Sequence, residues 1–374
     1  MEKSYYKNNM LSFRHAPKVL VGGHRAYNID RALQELGIEM TFIENIGTFS
    51  PIRPSSIYAF TPVQLKKRLQ ILNFIQKRNS LSRVIAHGIQ AGHHLQILKS
   101  KDIPIILDFR DDPILQHKSY LGYDKKYGIP LSKKSEKRAK HAMKKSFDCA
   151  DRILFTSKTI MSYYPQVVQD KGIVCMNASD PEHFIDSHLP GKLKIGLLTG
   201  MMPAAGIELL LDACVIVKRD FDELCVEIVT GSIELIDYKK YMLNKYKKYR
   251  WIKFKSDITP YSKAPEFFNE LYLSVNLVPK TLYTDTQTFL KVFDTMASAR
   301  PIVVTDLTEQ ANIIREENCG LVCGFNPEDV AEKIGKILEN RNYAEKLGRN
   351  GRKAVEERHS WKIRAQKIID FTWK

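Results

Sequence analysis

Lys291 and Asp294 stand three positions apart in an otherwise apolar run, LKVFDTMA, that stops at Ala299-Arg300-Pro301. On a helix, that spacing lets a lysine and a carboxylate pair with each other for roughly 0.3 kcal/mol. Otherwise the carboxylate serves as a ligand for something outside the chain. The helix is predicted to begin near Thr286-Gln287-Thr288, just ahead of Phe289 and Leu290. A hydroxyl N-cap and unpaired backbone N–H groups at such a start form an anion site. Lys280, after the run LVP, is a further cation beside it. Glycines follow apolar runs at Gly22-Gly23, Gly200, Gly206 and Gly231, where a bare backbone can approach a phosphate or sugar. His87 closes the run VIAH, and Asp111-Asp112 close IILDFRDD. His87 is either a catalytic group or a satisfied structural histidine. Asp111 either holds a hydroxyl or pairs with Arg110.

Such residues need strands to carry them. APKVLVGGHRAYNIDRALQELGIEMTFIEN (16–45) reads as strand at Val19–Val21, Gly-Gly turn, helix and strand. Residues 81–113 repeat strand, helix, strand, and 150–160 and 171–179 give two further strand-and-loop units. HLPGKLK (188–194) is a short Pro-Gly linker, after which the pattern restarts. Strands are expected at 194–200, 224–232, 251–256, 271–279, 301–306 and 320–325, with helices between them and closing helices from 327 onward. Continuous apolar strands alternating with helices predict parallel sheets covered on both faces. The fold class is therefore α/β, with two successive doubly wound domains. Ligands in such sheets bind beyond the carboxyl ends of the strands, which is where the residues above fall.

The 374 residues suffice for two cores. The net charge is +16, and residues 1–188 hold 29 Lys+Arg against 17 Asp+Glu, so most of the excess lies in the first half. The segment 125–147 alone has nine Lys and Arg and one Glu, with Tyr, Ile, Leu, Met and Phe between them. It fits a helix lying on an anionic membrane surface, or simply a solvated basic helix. No nucleic-acid recognition module accompanies the charge, so specific nucleic-acid binding is not expected. The polar N-terminus lacks a signal-peptide segment, and no apolar run nears the roughly 18 residues of a membrane span. The six cysteines are scattered without metal-type partners and read as reduced thiols. The expectation is a cytoplasmic protein, peripheral on the inner face of the membrane.

Four segments, KIGLLTGMMPAAGIELLLDA, VEIVTGS, KVFDTMASARPIVVTD and NPEDVAEKIGKILENRNYAEKLGRNGRKAVEERHSW, resemble the nucleotide-sugar domain of retaining GT-B glycosyltransferases of family 4, the group 1 glycosyl transferases. In the first half, ADRILFTSKTI, VCMNASDPEHF and IILDFRDDP are similar to family segments as well. The resemblance implies a GT-B fold of two Rossmann-like domains facing a central cleft. Residues 1–188 would form the acceptor domain and 189–355 the nucleotide-sugar domain, with 356–374 packing back on the first. It implies transfer of a sugar from a UDP- or GDP-type donor, with retention and without a metal or other cofactor, to a lipid-linked or cell-envelope glycan. Asp294, where the family has Glu, would bind ribose, and Thr288, Phe289 and Leu290 would bind the diphosphate. Gly200, Gly206 and Gly231 would line the donor, Gly22 and Gly23 would form an acceptor or phosphate loop, and His87 and Asp111 would be catalytic. The family's Gly is replaced by Ala299, which costs about 1 kcal/mol in a left-handed turn. Its loop Arg and Lys are replaced by Met and Ala within 201–205, leaving Lys280 and Lys291 to meet the leaving diphosphate. The alternative is a non-catalytic scaffold or partner subunit of an active transferase.

Overall fold

Strands rich in Val, Ile and Leu bury both faces, so each sheet needs helices on either side. The computed structural model describes residues 9–14, 24–44, 82–89, 95–96, 99–100, 102–256 and 263–373. Two compact units emerge. The first gathers Met1–Ile114, Leu131–Cys175 and Lys362–Lys374, and the second gathers Leu115–Pro130 and Met176–Trp361.

The first unit holds β1 (Asn9–Arg14), α1 (His24–Glu35), β2 (Glu39–Glu44), β3 (Arg83–His87) and β4 (Ile105–Phe109). After α2 (Pro113–Gln116), which straddles the unit boundary, come α3 (Lys133–Cys149), β5 (Arg152–Phe155), α4 (Lys158–Ser162), α5 (Gln166–Gln169) and β6 (Gly172–Val174). Its sheet is parallel, in the order β2-β1-β3-β4-β5-β6. The first described strand is one that the apolar runs do not mark. NMLSFR (9–14) supplies β1, while Val19–Val21, Gly22 and Gly23 lie outside the described residues. NMLSFR hides its role because Ser12, fully buried, satisfies its hydroxyl on Asp30 at 2.6 Å. The basic segment turns its apolar side chains inward. The Ser132 side chain caps α3 by accepting from Ser135 N–H, and Ala139, Met143 and Phe147 point into the core. Its apolar stripe is already used, so the exposed side of α3 is basic and polar, with Arg138 among its lysines.

The second unit runs β7 (Lys194–Met201), α6 (Ile207–Val217), β8 (Cys225–Glu234), α7 (Ile236–Tyr246), β9 (Ile252–Ser256), α8 (Ala264–Asn269), β10 (Leu273–Asn276), α9 (Leu290–Ala297), β11 (Ile302–Thr305), α10 (Thr308–Glu317), β12 (Gly320–Cys323), α11 (Pro327–Leu338) and α12 (Arg341–Glu357). Its parallel sheet has the order β12-β11-β10-β7-β8-β9. The closing helices start where local chemistry says they should. Asn326 accepts from Asp329 N–H ahead of Pro327, and Asn340 accepts from Tyr343 N–H. The last helix, α13 (Trp361–Thr372), falls almost wholly in the first unit, where Trp373 stacks under Arg83 and Phe371 under Arg152. All six cysteines are free. Among the described residues no helix is long and apolar enough to cross a membrane.

Candidate functional site

Counted from β7, the second sheet reads 3-2-1-4-5-6, so successive connections diverge between β7 and β10. That reversal opens a crevice beyond the carboxyl ends of the two strands. Two loops flank it. The loop after β7 passes through a short 3₁₀ turn, Pro203–Ala205, to Gly206, which has φ +73° and starts α6. A Cβ at position 206 would lie 1.9 Å from the Leu277 carbonyl oxygen of the loop after β10. Only glycine permits this contact, which locks the two loops together. Met201, Met202, Ala204 and Ala205 are all buried, so this loop presents no cation. Gly200 and Gly231 prove to be strand residues rather than loop residues, since β7 runs to Met201 and β8 to Glu234.

The loop after β10 carries the rest. Thr284–Thr286 forms a 3₁₀ turn and Gln287 is extended, so α9 begins at Leu290, later than predicted. Phe289 is the N-cap, and no side chain caps the helix. Thr288 is therefore not its cap. It is buried, and its carbonyl accepts a 2.6 Å bond from Asn177 Nδ2. Lys280 is exposed and lies 3.4 Å from Asp285, which also accepts from the N–H and hydroxyl of Thr308. Its charge is thus partly answered already. Lys291 differs. It is partly buried, it has no carboxylate within salt-bridge distance among the described residues, and burial pushes its pKa down to about 8. A Lys291–Asp294 ion pair, the alternative reading of their spacing, does not form. Asp294, 2% exposed, instead accepts a 2.7 Å bond from the Ser179 hydroxyl, 115 residues away.

The position of α9 is set from behind by α12. Cβ atoms at Gly348 and Gly351 would meet the Ala299 carbonyl oxygen at 2.2 Å and Met296 Cα at 3.2 Å. Arg352 Nη1 donates to the Ala297 carbonyl at 2.7 Å and to the Phe184 carbonyl at 2.9 Å. Ala299 does adopt the left-handed turn, at φ +53°. Sequence reasoning missed Ser179 and the pair Tyr120–Tyr283, whose ring centroids lie 5.7 Å apart. Gln116 Nε2 donates to the Tyr283 hydroxyl at 3.1 Å. No local pattern links residues 115–130 to the second sheet, so nothing in the sequence signalled these contacts.

In the first unit, His87 stands at the end of β3. It is 3% exposed and both its ring nitrogens are occupied, Nε2 by Asp30 at 3.0 Å and Nδ1 by Asp108 at 2.9 Å. Arg25 Nε and Nη2 both donate to Asp108, and Nη2 also donates to the Cys175 carbonyl. Burial opposes a charge on His87, but the two carboxylates outweigh it and raise its pKa. Arg25 and His87 likewise overcome burial at Asp108 and hold its carboxyl well below the usual range. Asp30, Asp108, Arg25 and His87 thus form a buried, mutually bonded cluster in which both imidazole nitrogens are engaged, with Arg364 close to Arg25. Asp112 caps the turn at Ile114 N–H and accepts from the Tyr164 hydroxyl at 2.7 Å. Asp111, half-buried at the end of β4, stays a candidate by position.

Residues 227–370 match the protein-family model described as glycosyl transferase-like. No curated protein matches the chain. Among solved structures, sucrose-phosphate synthase from Thermosynechococcus elongatus is similar at 13% identity, with 97% of each chain covered and a TM-score of 0.70. A glycosyltransferase from Rickettsia africae gives 15% identity, 98% of each chain and a TM-score of 0.68. Anabaena HepE in complex with UDP-glucose gives 12% identity, 97% of this chain, 98% of that one and a TM-score of 0.67. What the chain shares with these structures is their fold, the GT-B arrangement of two doubly wound parallel-sheet units.

Proposed function

We propose that the protein is a glycosyltransferase that moves a sugar from a nucleotide-sugar donor to a hydroxyl acceptor. The observation that carries this reading is the paired loops at the β7/β10 switch point, inside the unit that holds most of the stretch 227–370 matching the glycosyl transferase-like family. In this reading Lys291 and the uncapped first turn of α9 meet the donor diphosphate. Asp294, one turn on and fixed by Ser179, is assigned to the ribose. HepE, of the same fold, is described in complex with UDP-glucose, which favours a uridine donor. The resemblance further implies retention without a metal and a lipid-linked or envelope glycan as acceptor. The bond from the anomeric carbon to the phosphate oxygen would break. A bond to the acceptor oxygen would form on the same face, and the acceptor proton would pass to the departing phosphate.

A second reading, a non-catalytic partner of an active transferase, draws on the buried Met and Ala side chains of the loop 201–205 and on Lys280, already beside Asp285. Among the described residues of these two loops Lys291 is then the one uncompensated cation, where electrostatic stabilisation of a leaving diphosphate calls for more. Calorimetric titration of the full chain with UDP, GDP and ADP separates the possibilities. Binding of one nucleotide, weakened in both Lys291→Ala and Asp294→Ala, supports the donor site. Affinity unchanged in Asp294→Ala returns that carboxylate to a structural role. Binding of none of the three removes the transferase reading. Hydrolysis or transfer of any sugar nucleotide by the purified chain removes the non-catalytic one.

A further inference from the structure

We propose that the outer face of α7 is a docking surface for an anionic lipid bilayer. On α7, Tyr238, Met242 and Tyr246 pack into the core. At 100° per residue, Ile236, Lys240, Leu243 and Lys247 share one stripe within about 60° of one another, centred about 130° round from the core-facing side. Ile236 is 65% exposed and Leu243 42%, and both lysines are exposed. Of the nine large hydrophobic side chains exposed among the described residues, Ile236 and Leu243 share this stripe two turns apart, whereas Tyr241, about 140° further round, lies beside Tyr127 and Tyr238 and bonds Glu208.

The charges choose the occupant. Within α7, Asp237 is the only acid; it approaches Lys240 at 3.8 Å. Lys239 is answered by Glu234, and Lys245 by Glu208 and Asp212. Lys247 and the neighbouring Lys248 have no carboxylate within salt-bridge distance among the described residues; Lys248 lies over the Tyr249 ring. A second copy of this chain would bring like charges together, which disfavours self-association here. A nucleic-acid backbone would gain nothing from two aliphatic side chains. Acyl chains accept Ile236 and Leu243, while the lysines reach anionic headgroups. By contrast, α3, the more basic segment, keeps its apolar side chains in the core and has none to insert. This surface is independent of the donor assignment and stands or falls without it.

The test is co-sedimentation of the full chain with phosphatidylcholine vesicles, with and without phosphatidylglycerol. Binding is expected only with phosphatidylglycerol, and weaker as salt rises. Each lysine near such a surface contributes about fivefold, so Lys240→Glu with Lys247→Glu should cut partitioning roughly 25-fold or more. Ile236→Asp with Leu243→Asp should cut it about tenfold or more. Lys134→Glu with Lys137→Glu on α3 should change it far less. Circular dichroism matching wild type shows that each variant folds, and either α7 pair decides the matter if the other does not fold. Several results would overturn the proposal: no binding to anionic vesicles, equal binding to neutral ones, or loss caused by the α3 pair while the α7 variants still bind. Retention by poly-glutamate without vesicle binding would also overturn it, in favour of an acidic protein partner.

Discussion

Lys291 shows what a single side chain can report. Its pKa sits near 8 because burial strips water from the ammonium and no carboxylate replaces it. For a lysine lowered in the fold, the unfolded chain holds more protons between about pH 8 and 10.4, so stability rises with pH across that window. An arriving diphosphate reverses the cause and recharges the amine. Nucleoside diphosphate binding at pH 8 should therefore take up about half a proton, read by calorimetry in buffers of different ionisation heat. Lys291→Met should abolish that uptake, whereas uptake unchanged in the variant would place the diphosphate elsewhere. Of this site, the sequence made the helix, its apolar stripe and its two charged residues legible, because those are local facts. It could not reveal that Asp294 turns to Ser179 rather than to Lys291, since that partner comes from 115 residues away and i,i+3 reasoning sees only one helix.

Elements carry these side chains, and two of them make sharp predictions. Gly206→Ala would drive a methyl group into the Leu277 carbonyl at a positive φ, so backbone must move. The expected loss is about 3 kcal/mol, seen as a lower denaturant midpoint together with lost nucleotide binding. A variant as stable as wild type would mean that the two loops are not locked together. The junction of α1, β3 and β4 is the second case. His87→Ala would leave Asp30 and Asp108 buried without their shared cation, costing about 3–5 kcal/mol. Because the folded His87 pKa is raised, its contribution is complete below about pH 6.5 and fades as pH climbs through the folded value. Asp108, with its pKa depressed, contributes above its unfolded value and fails as pH falls. Thermal melts of wild type should lose stability on both flanks, and the alkaline loss should be smaller in His87→Ala. The parallel strands of the second unit were readable as apolar runs between helices. β1 was not, because its Ser12 gains a place in the core only by bonding Asp30 on α1.

At the scale of the whole molecule, the first unit is assembled from three separate stretches of chain and the second from two. Sequence segmentation cuts at linkers such as HLPGKLK; only the family resemblance points to the closing residues returning to the first half. Those residues have work to do in the first unit. Ala365 and Ile368 are fully buried, Arg364 is nearly so, and Trp373 and Phe371 cover Arg83 and Arg152. Restoring Ile368 and its neighbours to water costs about 2 kcal/mol, and each lost cation–π contact costs about 0.5–1 kcal/mol. Deleting 362–374 should thus weaken the first unit by on the order of 3–4 kcal/mol and leave the core of the second intact. Calorimetry of wild type should resolve two transitions if the units melt separately, and the deletion should lower only one. Nucleotide binding identifies which, because UDP should shift the transition that the deletion spares. If the deletion lowers both transitions equally, the two cores do not melt independently. If it lowers neither, the final helix contributes nothing to the unit it completes.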